Sequence, residues 1–546
     1  MITSSELTRL NRAKLLATST NVTSPNRSGD YLSEKRYGSG PVLANGKVIK
    51  GCCEEQQQFT PGIIITYDNL SRMIGRDVEE TLSVTGEGYT IDWGNGELVS
   101  YSGLRTFNIA TQRTGLTITI REDSALTAFS LTDSNASACT VHSCAELLSV
   151  NCTNNLLLTT LLFIDTFNLQ SLDCTGNDLT TLNCVGFDKL TSLDCASNDL
   201  TSLNMTGCTS FASFDSVSIL EGNPGIALNL TGCTGITGEL SLRNISNSFN
   251  VASAIFKNCT GITKLICNEC SLNSIDLTGA TSLNSLICNG NNMTSLNMTG
   301  CTAFTPFLTD LLIGNNMASL NLSGCTALTE MIVEGIPLAS VNLTGCSNLT
   351  NVKCKNTGLT SINGVDNLPL LEKLNVYTNP PIPTGNLHMY TNKLATLTIK
   401  SSNLTELICT GNLLTTLDAS NCTKLTTLEC DFNNMDSLNV SNCSKLTHLN
   451  CSRNKLASLA SITDVVSLVD IQCHYNNLND IPVQNLVALQ SILATHNYIQ
   501  NNQLVGILLK LKDLDTIGNI TIVWQVQDYG LIPDDVRHHA PKWEVS

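Results

Sequence analysis

The chain has 546 residues, more than one compact core accommodates, so several domains or a repeat array are expected. Only 14% of residues are charged and the formal net charge is -16, which argues against nucleic acid as the main partner. No apolar run approaches the roughly 20 residues that span a bilayer, and none follows the basic start as a signal peptide requires, so entry into a secretory pathway is not expected.

Residues 1–60 read as a basic extended arm. Residues 1–50 carry a net +5, leaving -21 for the remainder. Ser4-Ser5-Glu6-Leu7-Thr8 can cap a short helix through Leu16, because a hydroxyl and a nearby carboxylate satisfy the first free amides. Ser-, Gly- and Asn-rich chain then leads to Cys52-Cys53. The stretch MITSSELTRLNRAKLLA is similar to the N-terminal arms of structural proteins in large DNA viruses. That similarity implies an anchoring arm, with Arg9, Arg12, Lys14, Lys35 and Arg36 as the contacting cations. The other reading is a disordered tail.

Residues 61–138 predict a small β-domain. TLSVTGEGYTID and LTITIRED alternate apolar and polar residues, and Asn95-Gly96 marks a tight hairpin. Ile91-Asp92-Trp93-Gly94-Asn95-Gly96 resembles the W-G-D-G turn of PKD-like β-sandwich modules, with Asn95 where that pattern has Asp. The resemblance implies a spacer or an N-terminal cap.

Residues 139–500 repeat. Cys174 to Cys195, Cys267 to Cys288, and Cys409 to Cys430 to Cys451 are each one 21-residue step. Around them runs L-x-x-L-x-C-x-x-N-x-L, as in Leu190, Leu193, Cys195, Asn198 and Leu200, or Leu425, Leu428, Cys430, Asn433 and Met435. A second cysteine column passes through Cys301, Cys325, Cys346, Cys422 and Cys443. Alternation sends Leu193 and Cys195 inward and Ser192 and Asp194 outward. Asn198 then falls at the turn, where its amide can satisfy backbone groups; Asn177, Asn291, Asn315, Asn412, Asn454 and Asn476 take equivalent places. The cysteines read as small buried hydrophobes, because stacked parallel side chains suit disulfides poorly. Two regions lose the period, about 209–258 and about 363–402.

The pattern resembles the leucine-rich repeat, most closely the cysteine-bearing variety of internalin-like bacterial surface proteins. The resemblance implies a solenoid of parallel β-strands, one short strand per turn. About 17 turns at ~4.8 Å each would span on the order of 80 Å.

Residues 501–546 read as a cap. Asn502 to Leu514 has the helical spacing Leu504, Ile507, Leu508 and Leu511, Thr521-Ile522-Val523 suits a last strand, and Trp543 with Val545 can close the core. A repeat array needs such a cover for its terminal apolar face.

Chemistry-bearing clusters have simpler readings than catalysis. Cys267-x-x-Cys270 has zinc-like spacing, but Cys267 is the repeat cysteine and Cys270 stands in the Asn place. Cys139-x-x-His142-x-Cys144 is a zinc fragment, a disulfide pair or a capping turn with free thiols. His538-His539 reads as a solvated tail. Glu429 and Asp431 flank Cys430 as a carboxylate pair, expected to be solvated charge. No G-x-S-x-G, Walker loop or H-E-x-x-H occurs, so no enzyme, cofactor or metal is expected. The N-x-S/T triplets follow from the repeated phrase L-N-x-T-G-C.

Outward strand positions near the C-terminal end, Thr427, Glu429, Asp431, His448, Asn450, Asp470, Gln472 and His474, form the expected partner-binding face. That face is polar and poor in the Trp, Tyr and Arg that dominate protein hot spots. The expectation is a non-enzymatic virion component, its arm on other capsid proteins and its repeats facing a host-surface protein or glycan. The alternative is a bacterial cell-surface adhesin.

Overall fold

The computed structural model describes residues 62–68, 80–112, 115–122, 125–242, 251–379 and 391–500, with 503, 506–507, 521–524 and 543–545. The five arm cations, Cys52-Cys53, His538-His539 and most of the helix expected after Asn502 lie outside them. No helix among the described residues is long and apolar enough to cross a membrane.

Six strands precede or open the repeats: β1 (Gly62–Thr66), β2 (Thr81–Asp92), β3 (Leu98–Asn108), β4 (Thr117–Glu122), β5 (Leu126–Thr132) and β6 (Ala138–His142). The alternation read from β2 is realised, with Leu82, Val84, Tyr89 and Ile91 buried. In the turn after β2, Asp92 Oδ1 accepts the Gly94 and Gly96 amides at 2.8 and 2.9 Å. Gly94 has φ +105°, and a Cβ on Gly115 would lie 2.5 Å from the Gly94 carbonyl oxygen. Two glycines are therefore required where these chains touch.

The β-domain is built into the solenoid. β1 pairs antiparallel with β4 and β6, while β2 pairs with β3 on one side and with β5 then β4 on the other. Then β5 pairs in parallel with Ser149–Asn151 and β6 with Thr160–Ile164. These strands are hydrogen-bonded into one continuous sheet that also includes the first strands of both repeat columns. Their buried side chains belong to the same core as the repeats.

The repeats form a parallel β-solenoid of the leucine-rich repeat class with a 21-residue period. It departs from the expectation of one strand per turn: most turns carry two. The first column holds the L-x-C strands, such as Ser192–Asp194 and Thr427–Glu429. The second holds the S-L-N phrase, such as Ser202–Asn204 and Ser319–Asn321. Registration is residue for residue, Ser319 on Ser340, Leu320 on Val341 and Asn321 on Asn342. The reason is local. S-L-N-x-T also alternates, burying Leu203 and Met205. The Asn204 Oδ1 accepts both the Thr206 amide and hydroxyl, at 3.1 and 2.7 Å, and Gly207 turns away at φ +81°.

The two irregular regions keep their turns while losing their spacing. In 209–258 a short helix, Ser216–Leu220, stands in the first column and Asn223 takes the Asn place. In 363–402, Lys373–Asn375 continues the first column between Asn351–Lys353 and Glu406–Ile408. Asn392 then occupies the Asn place, donating to the Cys354 carbonyl at 2.8 Å. At the far end Thr521–Trp524 pairs with Ser491–Leu493, and Trp543–Val545 pairs with Thr521–Trp524, so two further strands extend the sheet.

Candidate interaction face

The frame behind the face is held by buried polar ladders. Asn454 is typical: its Nδ2 donates to the carbonyls of Cys430, one turn back, and Cys451, in its own turn, at 3.0 and 3.1 Å. Its Oδ1 accepts the Met435 amide at 3.0 Å. Asn177, Asn198, Asn291, Asn412, Asn433 and Asn476 repeat the donations to their own and the preceding turn. Sequence reasoning missed Asn223 and Asn392, which stand in the two irregular regions, and also Asn155 and Asn497, although these keep the three-residue step from Cys152 and Ala494.

All 22 described cysteines are free and buried. The second column has a polar task that its small size alone does not explain. Cys233, Cys325 and Cys346 thiols donate to the carbonyls of Met205, Met298 and Leu322 in the preceding turn, at 3.0–3.2 Å. Each carbonyl also accepts an amide of its own turn, so the thiol fills the second lone pair. Cys270 acts similarly in place of Asn, its thiol donating to the Leu242 carbonyl at 3.2 Å. Among the described residues no group of three or more His, Cys, Asp or Glu is placed to hold a metal ion. Burial pushes the Cys301 and Cys354 thiols up to about 12, which keeps them protonated and unreactive.

The eight residues expected on the partner face come together. Thr427, His448 and Asp470 align in one row; Glu429, Asn450 and Gln472 align in the next. Asp431 and His474 lie in a third outward row, two residues further along their chains, with Ser452 between them. The Thr410 hydroxyl donates to Asp431 at 2.6 Å, and Ser452 and the His474 ring nitrogen are 2.8 Å apart.

The expectation of a solvated carboxylate pair needs correcting. Asp431 is only 8% exposed, and its carboxylate is engaged by the Thr410 hydroxyl of the preceding turn. Burial raises the pKa of Asp431, opposed by the Thr410 hydroxyl bond. Burial, then the charges of Asp431 and Glu406, raise that of Glu429. Burial lowers that of His474, with Arg453 and His496 adding to it. Ser452 is 1% exposed and its hydroxyl is not presented to a substrate.

Bordering these rows is a column that sequence reasoning did not single out. In most turns the residue before the ladder Asn lies in the left-handed region, and upstream turns supply Gly176, Gly290 and Gly411 there, with the small polar Asn154 and Ser197 in two others. The last turns read C-D-F-N, C-S-R-N, C-H-Y-N and A-T-H-N, and Phe432, Arg453, Tyr475 and His496 adopt φ 53°, 54°, 56° and 56°. Such conformations cost about 1–2 kcal/mol per residue. Stacking offsets part of this. The Arg453 guanidinium lies 4.9 Å from the Phe432 centroid and 4.3 Å from that of Tyr475. The Tyr475 and His496 rings stack at 4.0 Å. The available signal was a run of four ring-bearing or guanidinium side chains where upstream turns mostly place Gly or a small polar residue.

The fold defines a leucine-rich repeat solenoid, and its outward strand positions form registered rows across the turns. Comparison adds little beyond that class. No family model matches the chain, and no curated protein does. Similar solved structures include the internalin InlF of Listeria monocytogenes, 15% identical, covering 77% of this chain and 86% of that one, with a TM-score of 0.32. The functional domain of InlJ from Listeria monocytogenes, described as including a cysteine ladder, is 22% identical over 63% and 70%, TM-score 0.35. YopM of Yersinia enterocolitica is 15% identical over 74% and 88%, TM-score 0.33.

Proposed function

We propose that the chain is a non-enzymatic interaction protein, carried on a virion, whose repeats receive a protein partner. The gathering of Thr427, Glu429, His448, Asn450, Asp470 and Gln472 into two registered rows supports the partner-binding part. Such a row presents side chains from separate turns on a rigid sheet, so little entropy is lost on contact. Buried, protonated thiols and a covered Ser452 hydroxyl favour binding over catalysis.

The virion part rests on the arm, whose sequence is similar to those of large-virus structural proteins. Arg9, Arg12, Lys14, Lys35 and Arg36 would hold it to other capsid proteins, leaving the repeats for a host-surface protein or glycan. Free, buried thiols fit folding in a reducing compartment before particle release. The second reading is a bacterial cell-surface adhesin, favoured by the resemblance of the 21-residue cysteine repeat to internalin-like proteins.

The test is sedimentation of native source material on a density gradient, followed by detection of this chain. Co-migration with DNA-containing particles supports the virion reading. Migration with cell envelopes favours the adhesin, and recovery as free protein counts against both. Deleting residues 1–55 should abolish particle incorporation while the solenoid stays folded; normal incorporation refutes anchoring by the arm.

A further inference from the structure

We infer that the column Phe432–Arg453–Tyr475–His496 is the binding anchor of the C-terminal face, and that it takes a carboxylate side chain from an acidic segment of a protein partner. This rests on the reading of the repeats as a partner-binding surface and names the partner's chemistry.

The outward rows alone lack hot-spot residues. The neighbouring column supplies an arginine, a tyrosine, a phenylalanine and a histidine in four successive turns. Arg453, Tyr475 and His496 are exposed, Tyr475 at 40%, and Phe432 is half-buried. These side chains stand where the backbone favours glycine, at φ 53° to 56°, although the fold is satisfied by Gly411 one turn earlier. Bulk there is unnecessary for the turn.

Stacking consumes the faces of these groups and leaves their edges outward. Arg453 is held between two rings, so its planar fork is already oriented before a partner arrives. Among the described residues it meets no carboxylate within ion-pair distance. A guanidinium offers five N–H donors in one plane, a geometry that matches a carboxylate or a phosphate with two parallel bonds. The surroundings choose between them. Asp431 lies close enough for Arg453 to lower its pKa, against the stronger effect of burial. Glu429 and Asp470 occupy the adjoining rows. That field opposes a dianionic phosphate more than a singly charged carboxylate. A chain of net charge -16 also disfavours a nucleic acid backbone. The exposed edges of Tyr475 and His496 extend the contact beyond the fork and suit a peptide with apolar or aromatic residues beside its acid.

The experiment uses the full chain and two end-blocked tyrosine-rich octapeptides, one with a single central aspartate and one with asparagine in its place, with fluorescence anisotropy at physiological ionic strength. A trimer of galacturonic acid provides the same carboxylate on a sugar. The aspartate peptide should bind about tenfold more tightly than the asparagine peptide, the scale of one charge-assisted pair. Arg453→Gln should erase that preference, and Arg453→Lys should keep only part of it, because an ammonium lacks the fork. Thermal unfolding of each variant checks that the solenoid is intact.

Equal binding of the two peptides, no binding of either, or an unchanged preference in Arg453→Gln overturns the inference. So does tighter binding of the sugar acid than of the aspartate peptide, which would point to a glycan. A double variant, His448→Ala with Gln472→Ala, separates the two levels. If it abolishes peptide binding while Arg453→Gln does not, the strand face is the binding surface and the stacked column is not its anchor. If the aspartate peptide binds but neither variant changes its affinity, the partner-binding reading of this face fails as well.

Discussion

Replacing Asn454 by alanine removes one rung of the buried amide ladder, and the structure allows its cost to be worked out. Three donations are lost, to the carbonyls of Cys430, Cys451 and Ser452 at 3.0–3.2 Å. None of these carbonyls is orphaned: Cys430 still receives the Asn433 side-chain amide, Cys451 that of Asn476, and Ser452 the Phe432 backbone amide. The Met435 amide is different: it loses the Asn454 oxygen at 3.0 Å. A buried amide without an acceptor costs about 1–3 kcal/mol, and each lost donation adds roughly 0.5–1 kcal/mol. The expected destabilisation is about 3 kcal/mol. Asn434→Ala, at the exposed neighbouring position, should stay within about 0.5 kcal/mol. Urea unfolding followed by far-ultraviolet circular dichroism gives the difference. Amide exchange at Met435 should also accelerate, because single turns of a stacked array can open locally. Equal costs at the two positions, or unchanged protection at Met435, would refute the ladder as the source of stability.

The 22 described thiols should resist iodoacetamide in the native chain at pH 8 and react once it is denatured, read by intact mass; rapid native labelling of Cys301 or Cys354 would contradict their burial. Gly115→Ala should destabilise the N-terminal strands by about 1–3 kcal/mol, since the added carbon meets the Gly94 carbonyl oxygen at 2.5 Å; amide exchange in β2 and β4 measures it. Asp431→Asn should raise the urea midpoint at pH 7. The raised pKa of Asp431 means that the fold binds its proton more readily than the unfolded chain does. Its charge therefore weakens the fold at neutral pH, and the penalty is relieved as pH falls through the folded-state pKa toward the unfolded value near about 4. The advantage of the variant should shrink over that range, and a constant advantage would remove titration of Asp431 as its cause.

The period, the inward cysteines and the regular part of the Asn ladder were legible in the sequence, because each recurs at fixed spacing and has one buried solution. The second strand column was harder to see. S-L-N-x-T-G-C contains only a short alternation, and its Gly and Asn suggest a loop until registration with neighbouring turns is known. Asn392 was hidden by chain inserted ahead of it. The alignment of Thr427, His448 and Asp470, and of Glu429, Asn450 and Gln472, follows from period and pleat, which determine both coordinates of a side chain on such a sheet. Exposure was not legible, because Asp431 stands at an outward position of the repeat and is nevertheless buried. Phe432, Arg453, Tyr475 and His496 escaped notice because they break a rule of backbone conformation rather than a hydrophobic pattern.

The turn that contains Asn392 shows how this architecture tolerates a change of length. In regular turns the ladder Asn follows the inward residue after two positions, as Asn412 follows Cys409. Here the inward residue is Val376, and the ladder is rejoined at Asn392. Despite the added length, Asn392 still bonds to Cys354 and Leu359, and Leu394 to Asn412. The gap between inward residue and amide is thus a graft point: a foreign peptide placed there, in this turn or another, would be displayed beside the strand face without altering the stacking of the rungs on either side.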